Sequence, residues 1–483
     1  MTASRVFRIR FAPMVVVALV GLTAASLGCG RDAPPELAHL LEARRANCLV
    51  IVLDAAAGGH FGTYGYGRAT TPSLDAFAEQ AVVFERAYSQ AASTAISVPS
   101  YLTGLYPRTV RRHLDEHGAP PRSIVEVFRA AGFHTAGFSE NVYVGPAFGL
   151  ERGFEHFELF PAGKTAPERI DISGRMISAI LSWARARKGE RFFAYVHLLR
   201  PHHPYETPAA MDARFVQPGR PPPLVLDRRT YRRLDAEPES FDSDDVAFLT
   251  ARYDANLRFA DTLAGMLLHQ LTTLGILDDT LVVVTADHGE AFGQHGRFLH
   301  NTTLYDEMIR VPLFVRLPVG IGPDPARVAD PVGLVDLYPT LIHAFGLEAY
   351  APQPVEGLSL LSTIQAGTAL PDRSIFSQTM SAVAEIDTDA TKAIVHEGPP
   401  GEDAPPHSVA LEVYSLGDDP GERRDLGPSL TEAERARRVA SVTRFLAGRR
   451  AAESVPAGFR AFHGHEGITP DVRDRLEALG YLD

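Results

Sequence analysis

The stretch Leu281–Glu290, LVVVTADHGE, is the strongest indication of the fold class of this chain. Its apolar residues have high strand propensity and lead directly into Asp287, His288 and Glu290. A buried parallel strand in an open α/β sheet delivers the residues that follow it to the carboxyl edge, where ligand sites form. A polar turn is the simpler interpretation, because Asp, His and Gly are common turn residues. A carboxylate and an imidazole at such an edge also fit a metal site.

A second segment of the same kind favours the metal site. Asn47–Asp54, NCLVIVLD, is another apolar run that closes on an aspartate. Because parallel strands end at the same edge of a sheet, Asp54 is expected beside the polar residues of the first segment. We therefore predict that Asp54, Asp287 and His288 hold one divalent metal ion.

Strands and helices alternate along much of the chain. Thr71 and Pro72 form a good helix start, with threonine as N-cap and proline in the first turn. Residues 121–131 read as a helix ended by Gly132, and residues 134–139 read as the strand that follows. This alternation predicts an α/β fold with a doubly wound, mainly parallel sheet.

Changes in composition divide the chain into four segments. We predict a leader at residues 1–29, a short polar tether at 30–46, a catalytic domain at 47–370 and a small α+β subdomain at 371–483. Residues 209–241 are rich in proline and arginine and are predicted to form a surface loop or lid.

Composition also limits the partners. The chain has 483 residues, 45% of them hydrophobic, so it can bury a large core. Its formal net charge of −12 argues against nucleic acid, which demands a dense basic surface. Lysine occurs only at positions 164, 188 and 392. Arginine and histidine must therefore supply nearly all the positive groups of any anion site.

The N-terminal segment has the pattern of an export signal. Arg5, Arg8 and Arg10 precede an apolar run, and Ser26-Leu27-Gly28-Cys29 resembles a bacterial lipoprotein cleavage box. We expect an exported protein, periplasmic or in the cell envelope, that is anchored to the membrane by a lipid on Cys29. An uncleaved membrane anchor and plain secretion are the alternatives. Cys48 is expected to be a small core residue rather than a disulfide partner.

Several segments, taken in order, resemble the sulfatases of the alkaline phosphatase superfamily. The segments are DAAAGGHFGTYGYGRATTPSLDAFAEQAVVFERAYSQ (54–90), STAISVPSYLTGLYPR (93–108), FFAYVHLLRPHHPY (192–205), TADHGEAFGQHGRFLHNTTLYDEMIRVPLFVRLP (285–318), VDLYPTLIHAFGL (335–347) and EVYSLGDDPGERRDL (412–426). This resemblance implies an alkaline phosphatase-like sheet, a C-terminal subdomain and a metal-dependent hydrolase.

The resemblance also gives a candidate nucleophile. Counting back from Gly104 places Thr94 where formylglycine sulfatases carry the Cys or Ser of a Cys/Ser-x-Pro-x-Arg motif. Threonine cannot be oxidised to formylglycine, and Val98 stands at the arginine position, so no formylglycine is expected. A direct Thr94 alkoxide at a helix N-terminus is the leading hypothesis, and Ser97 is the alternative nucleophile. The hydroxyls in this segment could instead only cap the helix.

Other site residues follow from the same resemblance. His202 matches the family histidine that faces the leaving oxygen, which suits general-acid catalysis. His300 stands where many members place an anion-binding lysine, and Asn301 and Arg297 are candidates to assist in substrate binding. For the ion, the Asp-Asp-His set favours Mn²⁺ or Zn²⁺ over Ca²⁺, which prefers oxygen ligands alone.

The chain also departs from the family pattern. Ala55 replaces the second aspartate of the first metal pair, Ala57 and Gly59 replace an arginine and an aspartate, and Val110 replaces a histidine. We expect an exported, sulfatase-like hydrolase of sulfate or phosphate esters, with a small-molecule or glycan substrate. A phospho-headgroup transferase and a catalytically degenerate glycan-binding protein are the alternatives. The sequence predicts no oligomeric state.

Overall fold

The structure is a computed structural model. It describes residues 37–161, 163, 165–216, 223–322, 325–351, 354–396, 410–447 and 449. The predicted leader lies outside these residues, and so do Cys29 and its lipid attachment. None of the helices that the structure describes is long and apolar enough to cross a bilayer.

Helices and strands alternate through most of the described chain. The strands are β1 (Asn47–Leu53), β2 (Val82–Tyr88), β3 (His134–Ser139), β4 (His156–Leu159), β5 (Phe192–Leu198), β6 (Thr280–Ala286), β7 (Ala291–Phe292), β8 (Phe298–Leu299), β9 (Arg310–Val311), β10 (Leu313–Arg316), β11 (Ala326–Gly333), β12 (Ile375–Gln378), β13 (Ala382–Ile386), β14 (Thr391–His396) and β15 (Leu411–Ser415). The helices are α1 (Leu37–Ala43), α2 (Pro72–Ala78), α3 (Thr94–Thr103), α4 (Pro107–His117), α5 (Ile124–Ala130), α6 (Ala166–Ala186), α7 (Ala209–Phe215), α8 (Arg228–Ala236), α9 (Ser243–Thr273), α10 (Asp306–Ile309), α11 (Leu337–Ala344), α12 (Leu361–Ala366) and α13 (Glu432–Ala447).

The main sheet confirms the predicted fold class. Its strand order is β11-β2-β10-β6-β1-β5-β3-β4, with β9 paired to β2. The pairs along β6-β1-β5-β3-β4 are parallel, and β10 runs antiparallel to both of its neighbours. Every residue of β1, β5 and β6 is buried, because helices cover both faces of a doubly wound sheet. One set of contacting helices contains α2, α6, α7 and α9, and another contains α1, α3, α5 and α11.

The C-terminal part of the chain forms a second, smaller sheet. Strands β12 to β15 pair in sequence order, and all of these pairs are antiparallel. This small sheet lies after residue 370, in the segment for which the sequence predicts a small α+β subdomain. Buried Lys392 on β14 lies 3.0 Å from Asp306 of α10 and 2.8 Å from Glu422. These ion pairs tie the small sheet to the segment of the main domain that precedes β9.

Two expectations about connecting segments are corrected. The predicted tether contains helix α1, in which Leu37 and Leu41 are buried in the core. Their spacing of four residues puts both on one helix face, which docks against the domain. The predicted loop at 209–241 contains α7 and α8, and Tyr231 and Leu234 of α8 are buried. Tertiary packing of a few apolar side chains orders both segments despite their polar composition.

Candidate active site

The register of three strands brings the predicted metal ligands together. Leu53 of β1 pairs with Ala286 of β6 on one side and with Leu198 of β5 on the other. The next residues, Asp54 and Asp287, therefore leave the sheet side by side at its carboxyl edge. The structure thus confirms that Asp54 lies at the same edge as the Asp287/His288 pair, and all three side chains are fully buried.

Four atoms converge at this edge with nearly equal spacing. His288 Nε2 lies 3.6 Å from Asp54 Oδ1 and 3.7 Å from Asp287 Oδ2. Thr94 Oγ1 lies 3.4 Å from Asp54 Oδ1 and 3.3 Å from His288 Nε2. Ligands about 2.1 Å from a tetrahedral ion are separated from one another by roughly 3.4 Å. The four atoms therefore have the spacing of a coordination shell.

The donor set fits a divalent metal ion. Asp287 Oδ1 accepts hydrogen bonds from the backbone N–H groups of Ala55 and His288, but Oδ2 is buried with no hydrogen-bond partner among the described residues. A buried carboxylate oxygen without a donor is costly unless a cation faces it. His288 Nδ1 lies 2.9 Å from the Gly289 carbonyl, which orients the ring so that Nε2 faces the carboxylates.

The pKa of His288 also indicates a cation site. Burial lowers the pKa of His288, but the charges of Asp287 and Asp54 outweigh burial and raise the pKa overall. Positive charge at this position therefore stabilises the two buried carboxylates of Asp54 and Asp287. A divalent cation among Asp54, Asp287 and His288 would supply that charge in place of a proton.

Asn141 and His197 hold the other oxygen of Asp54, and neither was predicted as a site residue. The amide Nδ2 of Asn141 donates to Asp54 Oδ2 at 2.5 Å and lies 3.5 Å from Thr94 Oγ1. His197 Nε2 lies 3.1 Å from the same Oδ2 and is fully buried. The sequence analysis did not single out His197. The signal that could have found it is its position as the one histidine in the apolar strand β5, one residue before the carboxyl end of that strand.

Two tyrosine hydroxyls continue the hydrogen-bond chain on the far side of His197. Tyr195 OH lies 2.9 Å from His197 Nδ1, and Tyr101 OH lies 2.6 Å from Tyr195 OH. If Tyr101 donates to Tyr195 and Tyr195 donates to Nδ1, then His197 Nε2–H donates to Asp54. A consistent chain of donors therefore runs from α3 to the metal carboxylate, and His197 acts as a positioning residue.

Changing His197 to phenylalanine is expected to weaken metal binding about 10- to 100-fold, because Asp54 loses a hydrogen bond that orients it. The apparent Kd for Mn²⁺ or Zn²⁺, measured by titrating the metal-depleted protein, is the readout that a purely structural role would not change. His343→Phe on the exposed side of α11 is the matched control and should bind metal like the unchanged protein. Equal metal affinity in both variants would contradict the positioning role.

A group of three buried histidines adjoins the ligand atoms. His202, His203 and His300 each offer a ring nitrogen within 4.8 Å of the others, and the His300 ring centroid lies 4.5 Å from that of His288. His300 Nδ1 lies 2.8 Å from Glu290 Oε1, and His202 Nδ1 lies 2.5 Å from the His203 carbonyl. The structure thus brings His202 and His300 beside the predicted metal ligands.

Burial favours the neutral form of His202 and His300. Burial lowers the pKa of His300 to about 3 and, together with His203 and His300, lowers the pKa of His202 well below its usual value. With Nδ1–H donated to a carbonyl, a neutral His202 presents Nε2 as an acceptor. The rings of His202 and His203 are stacked with centroids 4.1 Å apart and planes inclined by 26°, so the lone pairs of their nitrogens lie in two separate planes. Such pairs do not converge on one ion as ligands do, and this favours the Asp54 set as the metal site.

Helix α9 holds the loops that carry the site. Tyr253 OH donates to the Ala55 carbonyl at 2.8 Å and accepts from Ala57 N at 2.9 Å. Asn256 Nδ2 donates to the carbonyls of Pro201 and His202 at 2.8 and 3.2 Å. Ala55, which replaces a family aspartate, has a φ of 58° and contributes its backbone N–H to Asp287 instead of a carboxylate.

The remaining predicted residues are placed less centrally. Ser97 is buried one turn further along α3, and its hydroxyl has no hydrogen-bond partner within the described part of the chain. Arg297 and Asn301 are exposed, and among the residues that the structure describes no hydrogen bond joins either side chain to the ligand group. The backbone N–H of Asn301 donates to the Ala92 carbonyl, close to the Thr94 segment. Their roles in substrate binding stay predictions.

Comparison with solved structures identifies the fold. The phosphonate monoester hydrolase of Agrobacterium radiobacter superposes with a TM-score of 0.64 at 19% identity, covering 83% of this chain and 95% of that one. The phosphonate monoester hydrolase of Silicibacter pomeroyi gives a TM-score of 0.65 at 22% identity and covers 86% and 98%. The fold is that of the alkaline phosphatase superfamily.

Sequence comparison then gives the family. A model of the sulfatase family matches residues 46–347, so this chain belongs to the sulfatase family. An ulvan-active sulfatase of Formosa agariphila is 25% identical over 351 residues, which is 67% of this chain and 66% of that protein, just under two thirds of it. An arylsulfatase of Clostridium perfringens is 24% identical over 389 residues, covering 66% and 79%.

Proposed function

We propose that the protein is an exported, metal-dependent hydrolase of sulfate or phosphate esters in which Thr94 is the nucleophile. The observation that carries the proposal is the even spacing of Thr94 Oγ1, Asp54 Oδ1 and His288 Nε2, beside the unpaired oxygen of Asp287. A hydroxyl at that position would share the cation's coordination shell and would lose its proton more easily. Family membership supports the reaction class.

Residues around Thr94 favour loss of its hydroxyl proton. Thr94 begins α3, so the partial positive charge of the helix N-terminus favours the alkoxide. Its hydroxyl lies 3.4 Å from Asp54 Oδ1, which can accept its proton. Oγ1 would then bond to the sulfur or phosphorus atom as the ester S–O or P–O bond breaks. A bound divalent ion would neutralise charge on the ester oxygens.

The histidine group can supply the proton that the leaving alcohol needs. The departing oxygen needs a proton, and His202 and His300 line the side of the site next to His288. Because burial keeps both rings neutral, either ring must first take up a proton before it can act as an acid. The negative charge of a bound ester favours that protonation. Water then attacks the sulfur or phosphorus atom, releases sulfate or phosphate and restores the Thr94 hydroxyl.

A panel of chromogenic esters tests the proposed activity. Purified protein is assayed with aryl sulfates, aryl phosphates and aryl phosphodiesters, before and after chelation, and its metal content is measured. We expect turnover of at least one ester class, loss of turnover on chelation, and recovery with Mn²⁺ or Zn²⁺. Activity that survives complete metal removal would contradict metal dependence. Glycan binding without turnover would favour the degenerate family member, and transfer to an added alcohol would favour a transferase.

Export and lipid anchoring are part of the proposal. They are supported by the basic, apolar and small-residue order of the leader and by the Gly28-Cys29 pair. One acyl chain gives weak membrane binding, whereas several chains on one cysteine hold a protein firmly. Mass spectrometry of the mature N-terminus should find acylated Cys29 in the membrane fraction. An unmodified mature protein in the soluble fraction would support secretion instead.

A further inference from the structure

A cavity of about 370 Å³ lies beside helices α3 and α4, apart from the candidate active site. Neither Thr94 nor any of the three candidate metal ligands is among its described lining residues. Ile96, Pro99 and Thr103 line it from α3. Because successive residues of a helix are turned by about 100°, these three share a face that is turned away from Thr94. The cavity is therefore a separate candidate site, and its volume is within the range of small-molecule sites.

Apolar side chains form most of the wall of the cavity. They include Ile96 and Leu102 of α3, Val110 and Leu114 of α4, and Leu150 and Met380 of the facing segments. Met380 lies in the turn between β12 and β13 and is 72% exposed, so apolar surface also borders the opening. Burial of an alkyl chain against such a wall is favourable.

Arginines give this apolar cavity an excess of positive charge. Arg108, Arg111 and Arg152 line it, and Glu126 is the one acidic residue among its described lining residues. Arg152 Nη2 lies 2.9 Å from Glu126 Oε1, so this pair carries no net charge. Arg108 and Arg111 therefore supply the excess, in a chain whose formal net charge is −12.

The two arginines are neighbours on one face of α4. They lie three residues apart near the start of that helix. Arg111 Nε lies 3.4 Å from Asp115 Oδ2, and Asp115 is not among the described lining residues. A guanidinium carries five N–H donors in a planar fork, so Arg111 can contact Asp115 and an anion in the cavity together. Such a fork matches the two oxygens of a carboxylate.

Gln378 adds a hydrogen-bond donor near the start of α4. Its Oε1 accepts from the Arg108 backbone N–H at 3.3 Å, and the residue lines the cavity. Gln378 is only 2% exposed, and its Nε2 has no hydrogen-bond partner among the described residues. A buried donor without an acceptor is costly, and an anionic oxygen in the cavity would remove that cost.

We propose that this cavity binds an amphiphilic carboxylate with an unbranched alkyl chain, as in a medium-chain fatty acid. The carboxylate lies at Gln378, Arg108 and Arg111, and the chain extends over the apolar wall toward Leu114. Leu114 is about 9 Å further along the α4 axis than Arg108, which leaves room for several methylenes. The inference does not rest on the proposed function, because the cavity shares no described residue with the candidate active site.

Calorimetry with octanoate tests the proposal on the full-length, metal-bound protein. We expect octanoate to bind, and butanoate, which has the same head on a shorter chain, to bind about 100-fold more weakly. Octan-1-ol has the same chain length but no charge for the arginines and should bind at least about tenfold more weakly than octanoate. Undetectable binding of millimolar octanoate, or equal affinity for octanoate and octan-1-ol, would overturn the proposal.

Matched variants test the position of the carboxylate. Gln378→Glu keeps the oxygen that accepts from the Arg108 N–H but replaces the donor with a negatively charged oxygen, so the affinity for octanoate should fall at least about tenfold. Arg108→Ala should have a similar effect. Arg175→Ala, which removes an exposed arginine of α6 outside the lining, should leave the affinity unchanged. Unchanged affinity in both cavity variants would overturn the proposal.

Crystals of the unaltered protein soaked with 8-bromooctanoate locate the alkyl chain without any variant. Anomalous scattering from bromine between Ile96 and Leu114 would support the proposal. Bromine found only beside Asp54 would assign the ligand to the candidate metal site and overturn it.

Discussion

Thr94→Ala is expected to lower kcat for ester hydrolysis by about 10⁴- to 10⁶-fold, the loss seen when a nucleophile is removed. Thr94 Oγ1 lies 3.3 Å from His288 Nε2 and 3.4 Å from Asp54 Oδ1, and within the described chain the Ser97 hydroxyl has no such partners. Alanine keeps the helix start but removes the only atom positioned to attack. The measurement is single-turnover and steady-state hydrolysis of the best ester from the panel.

Companion variants separate the possible nucleophiles. Thr94→Ser keeps a hydroxyl at the same place and should retain a measurable fraction of the activity. Ser97→Ala tests the alternative nucleophile and should leave kcat within a few-fold of the unchanged protein. Thr250→Ala removes a hydroxyl from α9, away from the site, and controls for general damage. Full activity in Thr94→Ala together with a large loss in Ser97→Ala would reassign the nucleophile.

Asp287→Asn is expected to abolish metal binding at micromolar metal and to lower kcat/KM at least about 10³-fold. The change removes the charge of a fully buried carboxylate whose Oδ2 lies 3.7 Å from His288 Nε2. An uncharged amide cannot replace the carboxylate oxygen that faces the cation. The single remaining negative charge, on Asp54, is not enough to bind a divalent ion tightly. Elemental analysis of the purified protein gives the metal content directly.

Thermal unfolding gives an independent measure of this change. A ligand that binds only the folded state raises the unfolding temperature. Added Mn²⁺ or Zn²⁺ should therefore stabilise the metal-depleted parent protein and the Asp278→Asn control, whose exposed aspartate lies just before β6. The same metals should not stabilise Asp287→Asn. Normal metal content in Asp287→Asn would place the ion elsewhere, with the histidine group of His202, His203 and His300 the first site to test.

Local sequence patterns predicted the parts of the fold and site that depend on strands and their ends. The apolar runs of β1 and β6 are long enough to identify buried parallel strands, and the polar residues that follow them must emerge at one edge. The sequence therefore predicted that Asp54 lies beside Asp287 and His288. It could not give α1 or α8, where a few apolar residues in a polar stretch become helical because they dock on the domain.

Local sequence patterns could not predict the residues that contact Asp54 from behind. His197 and Asn141 lie at the ends of β5 and β3, far from Asp54 in the chain, and become its neighbours only through the strand order β1-β5-β3. Family resemblance placed Thr94 at the nucleophile position and left Ser97 as the alternative. The choice depends on which face of α3 meets the ligand atoms, and this orientation is set by packing.

The chain alone was enough to identify the α/β class, the two strands that end in the candidate metal ligands Asp54 and Asp287, and a residue at position 94 that cannot become formylglycine. Strand propensity, burial and side-chain chemistry are local properties, so they can be read along the chain. The folded structure was needed to show that the Thr94 hydroxyl meets Asp54 and His288 and that burial lowers the pKa of His202 and His300. Each of these depends on distances between segments remote in sequence, and strand order and helix packing alone set those distances.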